Sequence, residues 1–208
     1  KQKYNFAKLL VVQWFRLPSI RNDNESSFNE FVPKMMRLFK EGLSKEMNNP
    51  DIAKLDISVS IEDKSVYHAK STFLDEELVD TFASKLCDNI WTFSYSSDGD
   101  FYTSDFPITV NAHINNVRPI CQGLAQYGAE LTYPLSKNLG LTIWDTEYFT
   151  DKGKKDLSIC IATSKEIRAF NILRYAYAQR QLFSSKNDFA FIKFASQICP
   201  ISLNPFQK

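Results

Sequence analysis

Glycine and proline are scarce, 6 and 8 among 208 residues, which excludes collagen-like and linker-like material. No sign of charge is in excess, because 25 Lys and Arg face 24 Asp and Glu for a net +1. A chain this balanced lacks the basic surplus that grips a phosphate backbone, so it carries no strong nucleic-acid signature. Histidine is nearly absent, with only His68 and His113; a His-rich transition-metal site is disfavoured and no metal is expected. The four cysteines, Cys87, Cys121, Cys160 and Cys199, are spaced 34, 39 and 39 residues apart without a C-x-x-C. That spacing argues against a zinc ribbon and a thioredoxin-like pair. They read as free thiols of a reducing compartment, so no disulfide and a cytoplasmic location are expected. Long apolar runs are missing too. The longest stretch, 6–17, is broken by Lys8, Gln13 and Arg16 and falls short of the roughly 20 residues of a membrane span. There is no signal-peptide cleavage pattern, no H-x-x-E, no G-x-S-x-G and no Gly-rich phosphate loop.

What is present is apolar material: 44% hydrophobic residues and 14% aromatic, including 17 Phe. Such a chain buries enough surface to offset its ordering entropy, which excludes disorder, and one core suffices at this length. Residues 1–208 are therefore expected to form a single globular domain. The chain opens on Lys1 with a helical pattern already under way, so it is expected to be an N-terminally truncated fragment of a longer protein.

Apolar spacing predicts a helix over 2–17, with Phe6, Leu9, Leu10, Trp14 and Leu17 on one stripe and Pro18 as its stop. A second helix is expected over about 25–47, capped by Ser26 or Ser27 with Glu30 reaching back, and kinked or restarted at Pro33. Ile57, Val59 and Ile61 alternate with polar residues and suggest a short strand. Residues 72–89 return to helical periodicity. Trp91, Phe93 and Tyr95 alternate, and Ser97-Asp98-Gly99-Asp100 predicts a hairpin turn whose return strand starts at 101–103. Strands are expected over 131–134, 139–144 and, more weakly, 157–162, then a helix over about 164–183 and a closing strand or short helix over 189–198. Helices, then strands, then a helix point to an α+β fold, a mainly antiparallel sheet packed with three or four helices.

Four stretches carry polar groups placed for chemistry. In 101–107 a strand runs into Thr103, Ser104 and Asp105 and stops at Pro107; three side-chain oxygens at a strand end can hold backbone N–H groups, a metal or a substrate. The competing reading is an Asx-type turn in which Asp105 bonds its own backbone to fix the bend before Pro107. Gln13 and Arg16 stand one helical turn apart ahead of Pro18. Tyr133-Pro134-Leu135-Ser136 interrupts a strand pair. Arg168, Asn171, Arg174 and Tyr175 share a flank of the last helix, where an Asn beside a buried stripe commonly bonds a neighbouring backbone group.

The order of these elements, Q-x-x-R-x-P (Gln13, Arg16, Pro18), F-x-T-S-D-x-P (Phe101, Thr103, Ser104, Asp105, Pro107), P-L-S (Pro134, Leu135, Ser136) and I-R-x-x-N (Ile167, Arg168, Asn171), resembles the bacterial domain of unknown function 4238. The likeness spans about residues 5–185. This chain carries Phe106 where the family usually has Asn before the proline, and the family's upstream His-Tyr-x-Pro segment is absent. The resemblance implies kinship of fold and no particular activity.

Three classes of function stay open. The favoured one is an interaction or regulatory domain with a polar pocket around Thr103, Ser104 and Asp105. The second is a hydrolase or nuclease-like enzyme with Asp105 as base or metal ligand, Arg16 or Arg168 stabilising an anion, and Asn171 as a further catalytic candidate. The third is a small-ligand or nucleic-acid binding module, with Thr103, Ser104, Asp105, Gln13, Arg16, Arg168 and Asn171 as the ligand-binding candidates. The geometric expectation common to the last two is an Asp105 carboxylate within reach of Arg16 or Arg168, with Asn171 nearby. The cofactor is unknown and no membrane is expected; the partner is unknown, and a protein partner stays open.

Overall fold

The apolar stripe of the first residues forms α1 (Gln2–Phe15), and Leu17 then turns extended, with ψ 137°, as the residue before a proline must. Pro18 has a second role. It is the first residue of α2 (Pro18–Glu46), where a missing N–H costs nothing. The computed structural model describes residues 1–98, 100–114, 123–186, 189 and 192–193. The remaining elements are a 3₁₀ turn (Ile52–Lys54), α3 (Lys64–Lys70), α4 (Glu76–Asp88), β1 (Ile90–Tyr95), β2 (Thr103–Ser104), β3 (Thr109–Ala112), β4 (Ala129–Ser136), β5 (Leu139–Trp144), a 3₁₀ turn (Thr150–Lys155), β6 (Ser158–Ile161), α5 (Ser164–Tyr177) and β7 (Leu182–Phe183). The expected α+β class holds, with a mostly antiparallel sheet of five strands. The chain divides into two compact units, residues 11–80 and residues 1–10 with 81–208.

The larger unit is built on a sheet of order β3-β4-β5-β1-β6, antiparallel except for β1 with β6. Residues directly opposite one another share a face. Val110, Leu131, Ile143 and Trp91 make one such row, and all four are buried. Phe6 of α1 meets this face edge-on at Trp91 and Tyr133, with centroids 5.9 and 6.3 Å apart. The adjacent row, on the opposite face, consists of hydroxyls: Thr109, Thr132, Thr142, Thr92 and Ser158, one from each strand. On that face Phe170 of α5 and Phe101 crowd Gly140, where a Cβ would meet their rings at 3.1 and 3.2 Å. Glycine at 140 is what lets the helix approach so closely.

In the 11–80 unit, α2 and α3 pack through an edge-on Phe28–Tyr67 pair with centroids 5.2 Å apart. Asp63 starts α3 by accepting the N–H groups of Ser65 and Val66 at 2.9 and 3.0 Å. His68, on α3, is buried and donates from Nε2 to the carbonyl of Phe15 at 2.6 Å.

Several expected elements differ. α2 begins at Pro18 rather than near 25, so Ser26 and Ser27 are interior positions. The helix continues through Pro33, whose exposed surroundings let water satisfy the carbonyl that proline leaves unbonded. Residues 55–61 form no strand despite their alternation; Leu55, Ile57 and Val59 are exposed and take no ladder partner. Residues 72–89 are not one helix but a turn after α3 followed by α4, whose first turn Asp75 caps through Leu78 N–H at 3.0 Å. The hairpin expected across 97–100 is absent. β1 pairs with β5 and β6, and the segment after the turn, β2, pairs with β7. The helix expected to reach 183 ends at Tyr177, and the 189–198 element lies outside the described residues except for 189, 192 and 193. Cys87 and Cys160 are free thiols, and Cys121 and Cys199 lie outside the described residues. Among the described residues no helix is long and apolar enough to cross a membrane.

Candidate functional site

The T-S-D-x-P element forms a seam with the end of α5. Thr103 and Ser104 make up β2 and pair with Phe183 and Leu182. Ser104 closes a tight turn on itself: its Oγ donates to the Phe106 carbonyl at 2.9 Å and accepts the Phe106 N–H at 3.1 Å. Asp105 accepts the backbone N–H of Gln179 at 3.1 Å on one oxygen and that of Arg180 at 2.8 Å on the other. These are the groups of a chain that has just left a helix, and a carboxylate satisfies them with charge-assisted bonds. Phe106, in the position where Asn was expected, is buried against Tyr177 with centroids 5.4 Å apart.

Asn171 works on the same seam from α5. Its Oδ1 accepts Tyr102 N–H at 2.9 Å, and its Nδ2 donates to the Asp100 carbonyl at 2.7 Å. Asn171 thus binds the segment just ahead of Thr103, and both of these bonds go to backbone. Arg168 lies one turn earlier on α5 and is exposed. The Asp105 carboxylate takes its bonds from the Gln179 and Arg180 N–H groups rather than from a guanidinium. Gln13 and Arg16 belong to the 11–80 unit, Gln13 half-buried in α1 and Arg16 exposed in the turn after it.

The least expected polar group of the larger unit is Arg174, wholly buried over the hydroxyl row. Its Nη1 donates to Thr109 Oγ1 and its Nη2 to Thr132 Oγ1, both at 2.8 Å, and those two hydroxyls stand 2.7 Å apart. The Phe170 ring lies 4.6 Å from the guanidinium carbon, and Nε has no partner among the described residues. Burial pushes this guanidinium down to about 9, while Tyr133 and Tyr177 pull it back up. Burial likewise raises the Tyr177 phenol to about 12, with Arg174 opposing. Tyr177 donates to the Val110 carbonyl at 2.5 Å. The cluster holds a cation in the core by two hydroxyls and a ring face, with no carboxylate bonded to it among the described residues. It ties α5 to β3 and β4.

An open cleft lies elsewhere, wholly within the 11–80 unit. It has a volume of about 200 Å³ and is lined by Arg16, Pro18, Arg21, Ser65, His68 and Phe73. Pro18 is the first residue of the 29-residue α2, and Leu17, its N-cap, makes no side-chain capping bond. Pro18 has no N–H and the Arg21 N–H bonds the Leu17 carbonyl at 3.2 Å, so this helix start brings to the cleft the positive end of its dipole. His68 is oriented by its bond to the Phe15 carbonyl, while its Nδ1 stands 3.5 Å from Asn24 Nδ2, which donates to Ser71 Oγ at 3.0 Å. The bond to a carbonyl places a proton on Nε2. Of the expected site residues, Arg16 alone lines this cleft, beside Pro18 of the same motif. Arg21, Ser65, His68 and Phe73 were not singled out in the sequence. Arg21, five residues after Arg16 across a helix start, was the one local signal; Ser65, His68 and Phe73 arrive by tertiary packing. Among the described residues no three His, Cys, Asp or Glu side chains are grouped to hold a metal ion.

No curated protein and no solved structure matches the chain. A family model does, described as "Protein of unknown function (DUF4238)" and covering residues 1–188. That span takes in the Arg16 cleft, the Asp105 seam and the Arg174 cluster, and with nearly the whole chain matched, the protein belongs to the DUF4238 family.

Proposed function

We propose that this chain is a regulatory binding domain whose ligand is a small anion, a phosphate or carboxylate group held in the cleft of the 11–80 unit. The observation that carries this reading is the convergence of two guanidinium-bearing residues, Arg16 and Arg21, on a cleft that also contains the start of an uncapped helix. Guanidinium forks favour anionic oxygens, and the positive end of the α2 dipole favours them too. Ser65 adds a hydroxyl and Phe73 a flat apolar wall, which suits an organic group attached to the anion.

This merges two of the classes the sequence left open, regulatory domain and small-ligand module, and moves the site from Thr103, Ser104 and Asp105 to Arg16. The hydrolase reading draws less support, because Asp105 and Asn171 already spend their oxygens on backbone N–H groups. Free thiols at Cys87 and Cys160 suit a cytoplasmic setting.

Titration calorimetry with inorganic phosphate and with phenyl phosphate tests the proposal. Wild type binds both, phenyl phosphate the more tightly. Arg16→Ala and Arg21→Ala each weaken binding by about tenfold, the loss of a charged hydrogen bond, while Lys165→Ala, on α5, changes nothing. Absence of binding in wild type, or equal effects of all three variants, overturns the proposal.

A further inference from the structure

The outer side of α2 is apolar where a helix facing water should be polar. Phe31, Met35 and Leu38 are 61%, 49% and 59% exposed, and Phe39 beside them 58%. They follow one another at steps of four, three and one, and the stripe continues to Gly42, where a Cβ would meet nothing within 4 Å. Steps of four, three and four from Phe31 to Gly42 are the seam of a heptad repeat. Contiguous apolar surface of this kind marks an interaction face.

We propose that this face pairs with α2 of a second copy of the chain in an antiparallel, two-fold arrangement. It goes beyond the anion cleft and does not rest on it. Charge and size together select this occupant. In an antiparallel pair the seam layers match Met35 with Leu38 of the other copy and Phe31 with Gly42 of the other copy, a large ring against an open glycine. Val32 meets Phe39 of the other copy alongside. The same register sets Lys34 opposite Glu41 of the other copy, and two-fold symmetry makes that ion pair twice. Within one chain Lys34 pairs with Glu30 at 2.7 Å and Glu41 with Arg37 at 3.9 Å, all four largely exposed. They are therefore free to share an additional partner across the seam. A parallel pair would bring no such opposite charges together, since Lys34 would then face position 39, a phenylalanine.

Sedimentation equilibrium of the full chain tests this, with circular dichroism confirming that each variant is folded. Wild type is a dimer at tens of micromolar. Lys34→Glu and Glu41→Lys each weaken self-association by about tenfold or more, because each sets like charges opposite one another twice. An equimolar mixture of the two variants dimerises again, as does the chain carrying both changes. Phe31→Glu is monomeric at all these concentrations. A monomeric wild type, which would leave the face to a different partner, overturns the proposal. So does a dimer that is indifferent to the charge reversals, or a mixture that fails to re-associate.

Discussion

Asp105 illustrates how a residue suited to catalysis serves as a clamp. Its two oxygens hold two consecutive backbone N–H groups, Gln179 and Arg180, and its own N–H donates to Gln181 O at 3.2 Å. Asp105→Ala is expected to cost about 2 kcal/mol, two bonds to a charged acceptor less what water restores at the exposed Arg180. Asp105→Asn keeps one acceptor oxygen and should cost about half as much. Urea denaturation measures both, and an Ala variant as stable as wild type would release Asp105 for another role. Tyr177 supports a second prediction at this scale. Its phenol is raised to about 12 by burial, so the folded state keeps its proton while the unfolded chain loses it near the ordinary value of 10.0. The unfolded state then binds fewer protons, and the stability contributed by Tyr177 falls as pH rises from 10 to 12. Tyr177→Phe should be about 1 kcal/mol less stable at pH 8, and this gap should shrink above pH 10. The depressed Arg174 acts in the opposite sense and is coupled to Tyr177, which pulls it up; losing the phenol lowers Arg174 further and narrows the gap at high pH in the same direction.

At the scale of elements, α5 shows local and non-local control in one helix. Its start is local: Thr163 accepts the N–H of Glu166 at 3.3 Å, and Glu166 accepts that of Thr163 at 2.7 Å, a complete capping box. These bonds from Thr163 hold the Glu166 carboxyl below its ordinary 4.5. The box therefore stabilises above that pH and is lost as pH falls through the lower, folded value. Thr163→Ala is expected to cost about 1 kcal/mol at pH 7 and to flatten the acid limb of a thermal-unfolding series. The end of α5 is non-local. Residues 178–183 were expected to remain helical, but Asp105 takes the N–H groups of 179 and 180 and β2 takes 182 and 183. Partners 70 and more residues away override a helical pattern. The strand expected at 57–61 failed for the complementary reason: alternation makes a strand only where a neighbouring edge supplies hydrogen bonds.

For the whole molecule, the order of protection follows from the sheet. β5 lies between β4 and β1, and Leu141 and Ile143 are at most 1% exposed. β6 is the edge, with Ile159 and Ile161 69% and 84% exposed. Hydrogen exchange followed by mass spectrometry should find 139–144 among the slowest amides and 158–161 faster by about tenfold or more, since edge strands open without the core. Equal protection of the two segments would mean that β6 opens only with the whole sheet.

Periodicity and punctuation in the chain determined much of this protein. The apolar stripe of 2–15, the β4 and β5 strands, the capped start of α5 and the α+β class all rest on contacts between near neighbours or on simple alternation, which composition and spacing display directly. The T-S-D-x-P segment was legible as a polar bend, but Ser104 closes that bend, and Asp105 holds the distant N–H groups of Gln179 and Arg180 rather than its own backbone. Tertiary structure decided the rest. It chose β5 and β6 rather than the adjacent segment as partners of β1. It buried Arg174 against hydroxyls from two strands, and it assembled a cleft from Arg16, Arg21, Ser65, His68 and Phe73, residues up to 57 positions apart. The physical reason is the same in each case: a hydrogen-bonding edge, a desolvated cation and a cleft wall are each completed by groups distant in sequence, and no local pattern specifies which distant group will arrive.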